Sequence, residues 1–337
     1  MCKDDEMQAL KRKVWFRFFG VTLSILFIIF AIVNVIGLMV GNMFYKEFCV
    51  WNTRLDSKRF QGLQVSLEDG IKNKNWRNVS INSRLGYTLQ GTYLPNPTPS
   101  NNTIVFVHGI TGSRLMGLWY APLYIKAGYN VLIYDSRASG ESGGNSVSWG
   151  FYEKYDLDQW IDWVEQQDPK GNIGVHGVSM GAATALMHAE MNEVTHRVKF
   201  YVADSGYSDL EELLTQQIDA AVSLKDPFWV KLFLQYSSIM AKWQSGFLYE
   251  DVSPVRSVRN VTTPILYLHG DADVLVPVYM NEQLYAATKG YKEKYISSGD
   301  AHAMAIFNHK AEYQRRIISF SDLVLNKQVN PDRRMDE

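Results

Sequence analysis

The sequence predicts an α/β domain with a mostly parallel, doubly wound sheet and a small helical cap, preceded by one transmembrane helix. Three observations carry this reading. Short apolar runs alternate with helix-like stretches through most of the chain. The stretch from Phe18 to Tyr45 holds no charged residue. A glycine-flanked serine, Ser179, stands where one apolar run passes into a helical pattern.

The 337 residues leave room for one large α/β domain or two small ones. Apolar residues make up 46% and charged residues 20%, an ordinary balance for a folded chain. A formal net charge of -1 gives no expectation of a nucleic-acid partner. Cys2 and Cys49 cannot build a disulfide framework, and no Cys/His spacing suggests a metal site.

In chain order, residues 1–17 form a polar tail and 18–45 the span. The apolar run exceeds the roughly 20 residues that a bilayer crossing needs. It is too long for a signal-peptide core, and no small-x-small cleavage site follows. Nothing polar marks an outward face, which disfavours a buried core helix. It therefore reads as a signal anchor. Lys11, Arg12, Lys13 and Arg17 precede it closely, against Lys46 alone just after, although Arg54, Lys58 and Arg59 follow further on. The positive-inside rule then puts the tail in the cytoplasm and the large domain outside the cell membrane.

Residues 46–75 are polar, with charge of both signs, and read as a juxtamembrane connector that is helical in part. The domain proper runs over 76–325, with a short tail at 326–337. "NVSINS" and "YTLQGTYLP" alternate around Leu85-Gly86, predicting an antiparallel hairpin. "TIVFVHG", "NVLIYDS", "NIGVHGVS", "KFYVADS", "PILYLHG" and "EKYISS" then read as buried strands with helices between them. Residues 207–260 interrupt this alternation with two successive helical patterns. They read as a cap over the carboxyl ends of the strands, or as a longer crossover.

Ser179 lies in "GVSMG", after a strand pattern and before "AATALMHAE". A sharp strand-to-helix turn would expose its hydroxyl above the sheet edge, with Gly177 and Gly181 leaving room for strand and helix. A serine hydroxyl needs a proton acceptor that works near neutral pH, which points to histidine. A nucleophile on such a turn takes its partners in the order serine, acid, histidine. His269 precedes both near acids and fits poorly, while His309 reads as a surface residue in the following helix. His302, in "SSGDAHAMAIF", follows the last strand in a glycine-containing loop and is the choice. For the acid, "HGDADVLVP" offers Asp271 and Asp273; Asp273 is preferred on loop position, Asp271 reads as a turn residue, and Asp204 is the other candidate. Two backbone N–H groups should face the developing oxyanion, those of Met180 and of Ile110 in "FVHGITGS". His108 in that motif reads as loop-shaping.

"HGITGS", "DSRASGESGG", "GVSMG", "GDADVLVP" and "GDAH", in this order, resemble the α/β-hydrolases. The nearest likeness is to the branch related to serine aminopeptidases and prolyl oligopeptidases, with its anchored or exported esterase-like members. It covers roughly residues 75–325. The resemblance implies Ser179 as nucleophile, Asp273 as acid, His302 as base, and the Ile110 and Met180 amides as the oxyanion hole. It also implies that Asp135, Arg137 and Glu141 shape the site rather than react.

The expected chemistry is acyl transfer through an acyl-enzyme, without metal or organic cofactor, and it should fail at acid pH as the base becomes protonated. A small-molecule or lipid-like ester is the first expectation for the substrate. A peptide substrate, or a non-catalytic binding scaffold on the same fold, is the alternative. Trp119, Tyr120, Trp149, Phe151, Phe228, Trp229 and Trp243 could line an acyl pocket or pack as core. "NVS", "NNT" and "NVT" match the glycosylation acceptor pattern, which matters only in a eukaryotic secretory pathway.

Overall fold

A computed structural model describes residues 2–50, 60–222 and 227–326. The middle of the expected connector, with Arg54, Lys58 and Arg59, and nearly all of the C-terminal tail lie outside the described residues.

Each apolar run forms the strand expected of it. The strands are β1 (Arg77–Asn82), β2 (Thr88–Leu94), β3 (Asn102–Val107), β4 (Asn130–Tyr134), β5 (Asn172–Val178), β6 (Val198–Asp204), β7 (Ile265–Gly270) and β8 (Lys292–Ser297). They make one eight-stranded sheet in the order β1-β2-β4-β3-β5-β6-β7-β8. The β1–β2 and β2–β4 pairs are antiparallel, and every pair from β4 through β8 is parallel. From β3 the chain turns first to β4 on one side and then to β5 on the other. That reversal opens a crevice at the carboxyl ends of β3 and β5, the usual place for a site in such sheets.

Helices cover both faces, as strands buried on two sides require. On one face α2 (Gln61–Asn73), α3 (Gly117–Lys126), α10 (Ala305–Asn308) and α11 (Lys310–Leu325) cover Ile104, Phe106, Val202 and Leu266. On the other, α4 (Glu153–Gln167), α5 (Met180–Thr195), α8 (Pro254–Ser257) and α9 (Val278–Ala287) cover Val105, Val175, Tyr201 and Tyr267. Alternate residues of β3 thus enter different cores, the period-2 rule of a strand. Between β6 and β7 lie α6 (Leu210–Val222) and α7 (Pro227–Ser245), which build a third apolar cluster above the sheet edge with the start of α5.

The N-terminal apolar run belongs to one unbroken helix, α1 (Cys2–Cys49), long and apolar enough by length and composition to cross a membrane. From Leu10 to Val33 its described side chains are exposed. Beyond that, Gly37, Gly41, Tyr45 and Cys49 are buried at four-residue spacing, a single helical face turned onto α7 and the third cluster. The two glycines allow the approach. A Cβ on Gly37 would sit 2.4 Å from the Tyr236 ring, and one on Gly41 2.5 Å from the Tyr236 carbonyl carbon. Polar pairs frame the contact. Tyr236 donates to Asn34 Oδ1 at 3.0 Å, Gln244 donates to Asn42 Oδ1 at 2.8 Å, and the Tyr45 and Ser245 hydroxyls lie 2.6 Å apart. Burial pushes the Cys49 thiol up to about 12, so it sits there as an uncharged apolar group.

Because Gly41 has no space for a side chain, Gly41→Leu should separate α1 from α7 and lower stability by about 1–3 kcal/mol. A Cβ added to Gly20 would meet nothing within 4 Å, so Gly20→Leu serves as the control and should leave the midpoint unmoved. Thermal unfolding of the detergent-solubilised full chain reads the difference.

Candidate active site

The turn between β5 and α5 is a steric necessity. Ser179 takes φ 57° and ψ −120°, a region costly for a side-chain-bearing residue, on the order of 1–3 kcal/mol. A Cβ on Gly177 would lie 2.1 Å from the Gly181 carbonyl oxygen, and a Cβ on Gly181 2.1 Å from that of Val107. Neither position tolerates any other residue without moving backbone. The Ser179 N–H is held by the Asp204 carbonyl at 2.8 Å. Val178 and Met180 are buried on either side, while Ser179 is partly exposed in a cavity of about 620 Å³.

His302 lines the same cavity. Its Nδ1–H donates to Asp273 Oδ2 at 2.6 Å, which leaves Nε2 as the ring nitrogen not engaged by the carboxylate. Asp273 has no exposed side-chain surface. Its other oxygen accepts the backbone N–H groups of Leu275 and Val276, both at 2.9 Å, and His269 Nε2 lies 3.3 Å from Oδ2. Burial raises the Asp273 pKa. The hydrogen bonds from His269 and His302, the pull of the His302 ring and the Val276 N–H outweigh burial, and hold the carboxyl well below the usual range.

The structure brings Ser179, His302 and Asp273 to one end of the sheet and gives the side chains of the competing residues other partners. Asp271 is exposed and accepts the Gly299 N–H at 2.6 Å, a turn contact. His309 stands just before α11, with its Nε2 3.6 Å from an Asp300 oxygen. Asp204 bonds Tyr313 at 2.7 Å and Ser205 at 2.9 Å. Its carboxyl is raised by burial, against those hydrogen bonds. Ser205 Oγ in turn accepts the N–H of Ala303, beside His302, at 3.1 Å. Asp204 therefore acts on the base loop from beneath, through Ser205. Neither this link nor the His269 contact was foreseen from sequence. Both join residues distant in the chain, and only the "ADS" and "LHG" strand ends hinted at them.

Met180 opens α5, where a backbone N–H has no intrahelical acceptor. Ile110 lines the cavity beside Gly109, whose added Cβ would lie 3.1 Å from Ser179 Cβ. The loop after β3 thus passes close against the serine. His108 shapes that loop: Nδ1–H donates to the Gly109 carbonyl at 2.7 Å and Nε2 accepts the Ser136 N–H at 3.0 Å. Burial lowers its pKa and keeps it neutral. Asp135 accepts from the Arg114 backbone at 2.6 Å, the Arg114 guanidinium at 2.5 Å and the Glu141 N–H at 3.0 Å. Glu141 takes the other arm of Arg114. Arg137 stacks over Tyr152 and Tyr87. None of the three is among the cavity-lining residues.

Of the aromatic residues picked out in sequence, Trp119, Tyr120 and Trp149 line the cavity, Phe151 packs against the third cluster, and Phe228, Trp229 and Trp243 are exposed. Leu213 and Gln217 from α6 also line the cavity wall. Among the described residues no group of three His, Cys, Asp or Glu side chains is placed to hold a metal ion.

The mostly parallel eight-stranded sheet with helices on both faces is that of the α/β-hydrolase fold. The alpha/beta hydrolase fold family model matches residues 102–258. The uncharacterized protein YqkD of Bacillus subtilis is 35% identical over 72% of this chain and 78% of its own length. The chain belongs to the α/β-hydrolase fold family. It is also 21% identical to the mouse lysophosphatidylserine lipase ABHD12, over 71% of this chain and 58% of that one. Among solved structures it resembles the Pyrococcus furiosus esterase Pf2001, with TM-score 0.61 and 24% identity over 75% of this chain and 93% of that one. It likewise resembles Est1E of Butyrivibrio proteoclasticus with ferulic acid bound, with TM-score 0.56 and 16% identity over 74% and 99%.

A carboxylate held below its unfolded pKa of about 3.9 contributes stability in full above that value and loses it as the pH falls. The stability gap between wild type and Asp273→Asn should be full above about pH 4 and should narrow below it. Chemical denaturation at stepped pH measures the gap.

Proposed function

We propose that this chain is a membrane-anchored serine hydrolase that cleaves carboxylic esters. One observation carries the reading: Ser179 and His302 face a single apolar cavity, and His302 is tethered through Nδ1 to a fully buried carboxylate. The esterase neighbours and the lipase relative support ester chemistry. The motifs favour the esterase-like branch related to serine aminopeptidases and prolyl oligopeptidases.

Ser179 Oγ attacks the ester carbonyl while His302 Nε2 takes its proton. The charge that develops on the carbonyl oxygen is met by the Met180 and Ile110 amides, and the positive end of α5 adds to their effect. The imidazolium formed on His302 is stabilised by Asp273, which stays ionised. His302 then protonates the departing alcohol. A water enters, gives its proton to His302 and splits the acyl-enzyme, releasing the acid and restoring Ser179. Trp119, Met116 and Leu213 give the acyl group an apolar environment.

α1 serves as the anchor, with its basic N-terminal end in the cytoplasm and the hydrolase domain outside. The chain should sediment with membranes and resist an alkaline carbonate wash, whereas a chain starting at residue 34 should be released by that wash.

The full chain in detergent should react with a fluorescent fluorophosphonate and hydrolyse p-nitrophenyl esters. Ser179→Ala should abolish labelling, and Ser179→Ala and His302→Ala should each lower kcat by about 10⁴-fold or more. Asp273→Asn should lower it by about 10³–10⁴-fold. A folded wild type that neither labels nor turns over any ester would sink the reading.

A further inference from the structure

The cavity that holds Ser179 and His302 has one wall from an unexpected source. Glu47 and Phe48, in the last turn of α1, line it together with Trp149, Leu213 and Val276. These two residues are fixed in place from both sides. The Phe48 carbonyl accepts the Trp149 indole N–H at 3.1 Å, and the Cys49 carbonyl accepts the Val147 N–H at 2.9 Å. Trp149 is itself a cavity residue, and its carbonyl accepts the Tyr207 hydroxyl at 2.5 Å. Buried Tyr45 and Cys49 flank the pair on the helix, so the turn cannot pull away without opening the third cluster.

The chemistry of the wall is unequal. Phe48 is half-buried and adds to the apolar lining, while Glu47 is exposed at the rim. Among the described residues lining the cavity, Glu47 is the one acid. An acyl chain gains from the Phe48 ring, and an anionic group entering past Glu47 meets a like charge. A cationic or uncharged group does not.

We infer that the last turn of the anchor helix is a specificity-determining wall of the active site, with Phe48 selecting for apolar acyl chains and Glu47 selecting against anionic esters. This rests on the reading of Ser179 as the nucleophile. The anchor is then part of the substrate site as well as a tether, and the preferred substrate is an apolar-chain ester whose polar end is neutral or cationic.

The test uses the full chain in detergent and reads ratios of kcat/KM, so a general loss of activity does not imitate the effect. The first ratio compares p-nitrophenyl decanoate with the butyrate. Phe48→Ala should lower it about tenfold, and Phe48→Trp, which narrows the cavity, should lower it as well. The second compares matched aryl butyrates that carry a trimethylammonium or a sulfonate on the ring. Wild type should favour the cationic ester, Glu47→Gln should level the pair, and Glu47→Lys should reverse it, with changes of about tenfold that shrink as salt rises. Glu47 is exposed, so its variants keep the test available if Phe48→Ala does not fold. An active wild type whose ratios are unchanged in these variants overturns the inference and leaves the hydrolase reading standing. A wild type that neither labels with fluorophosphonate nor turns over any ester overturns both.

Discussion

The close passage of three backbone segments at the end of the sheet governs the rest of the site. Gly177, Gly181 and the Val107 carbonyl meet where β5 turns into α5, and no side chain fits between them. That crowding forces Ser179 into a backbone region which an isolated residue avoids. The strain is held by the parallel register on both sides of β5, which pairs Gly177 with Val107 and with Ala203. The sheet therefore aims the serine, and the loops after β3, β7 and β8 need only arrange themselves around a point already set.

Around that point the polar groups are arranged in tiers. Asp273 accepts from the His302 ring and from two backbone N–H groups, with His269 Nε2 3.3 Å away, and these contacts favour its charged form although no part of its side chain meets solvent. Asp204, also buried, is instead pushed toward its neutral form and holds Ser205 and Tyr313. The carboxyls of two acids from adjacent strand ends are thus shifted in opposite directions, Asp273 down by its donors and Asp204 up by burial. One fixes the imidazole and the other supports the loop that bears it.

Much of this was legible in the sequence because it is written locally. The eight strands follow from apolar runs with turn residues at their ends. Ser179 follows from glycines at the two positions where a Cβ is impossible, and His302 and Asp273 from their loops. The role of α1 was not legible. Its apolar run reads the same from Phe18 to Tyr45, and nothing in it separates the exposed stretch from the docked one. Gly37 and Gly41 are the only local trace, and they gain meaning through Tyr236, about two hundred residues later. Glu47 and Phe48 look like the start of a polar connector until the helix is seen to continue to Cys49. The Asp204–Ser205–Ala303 link and the His269 contact were likewise hidden, since they depend on which strand ends become neighbours.

The continuity of α1 has a mechanical consequence. A helix that leaves a bilayer and enters a folded core without a break cannot swivel as a flexible stalk would. Gly37 to Phe48 spans about 16 Å at the rise of an α-helix, and this length is clamped to α7 and the loop around Trp149 throughout. With α1 as the proposed anchor, the cavity would be carried at a set height and a set tilt above the lipid. On the proposed reading, a long-chain ester would have its carbonyl at Ser179 while its tail still pointed toward the leaflet from which it came.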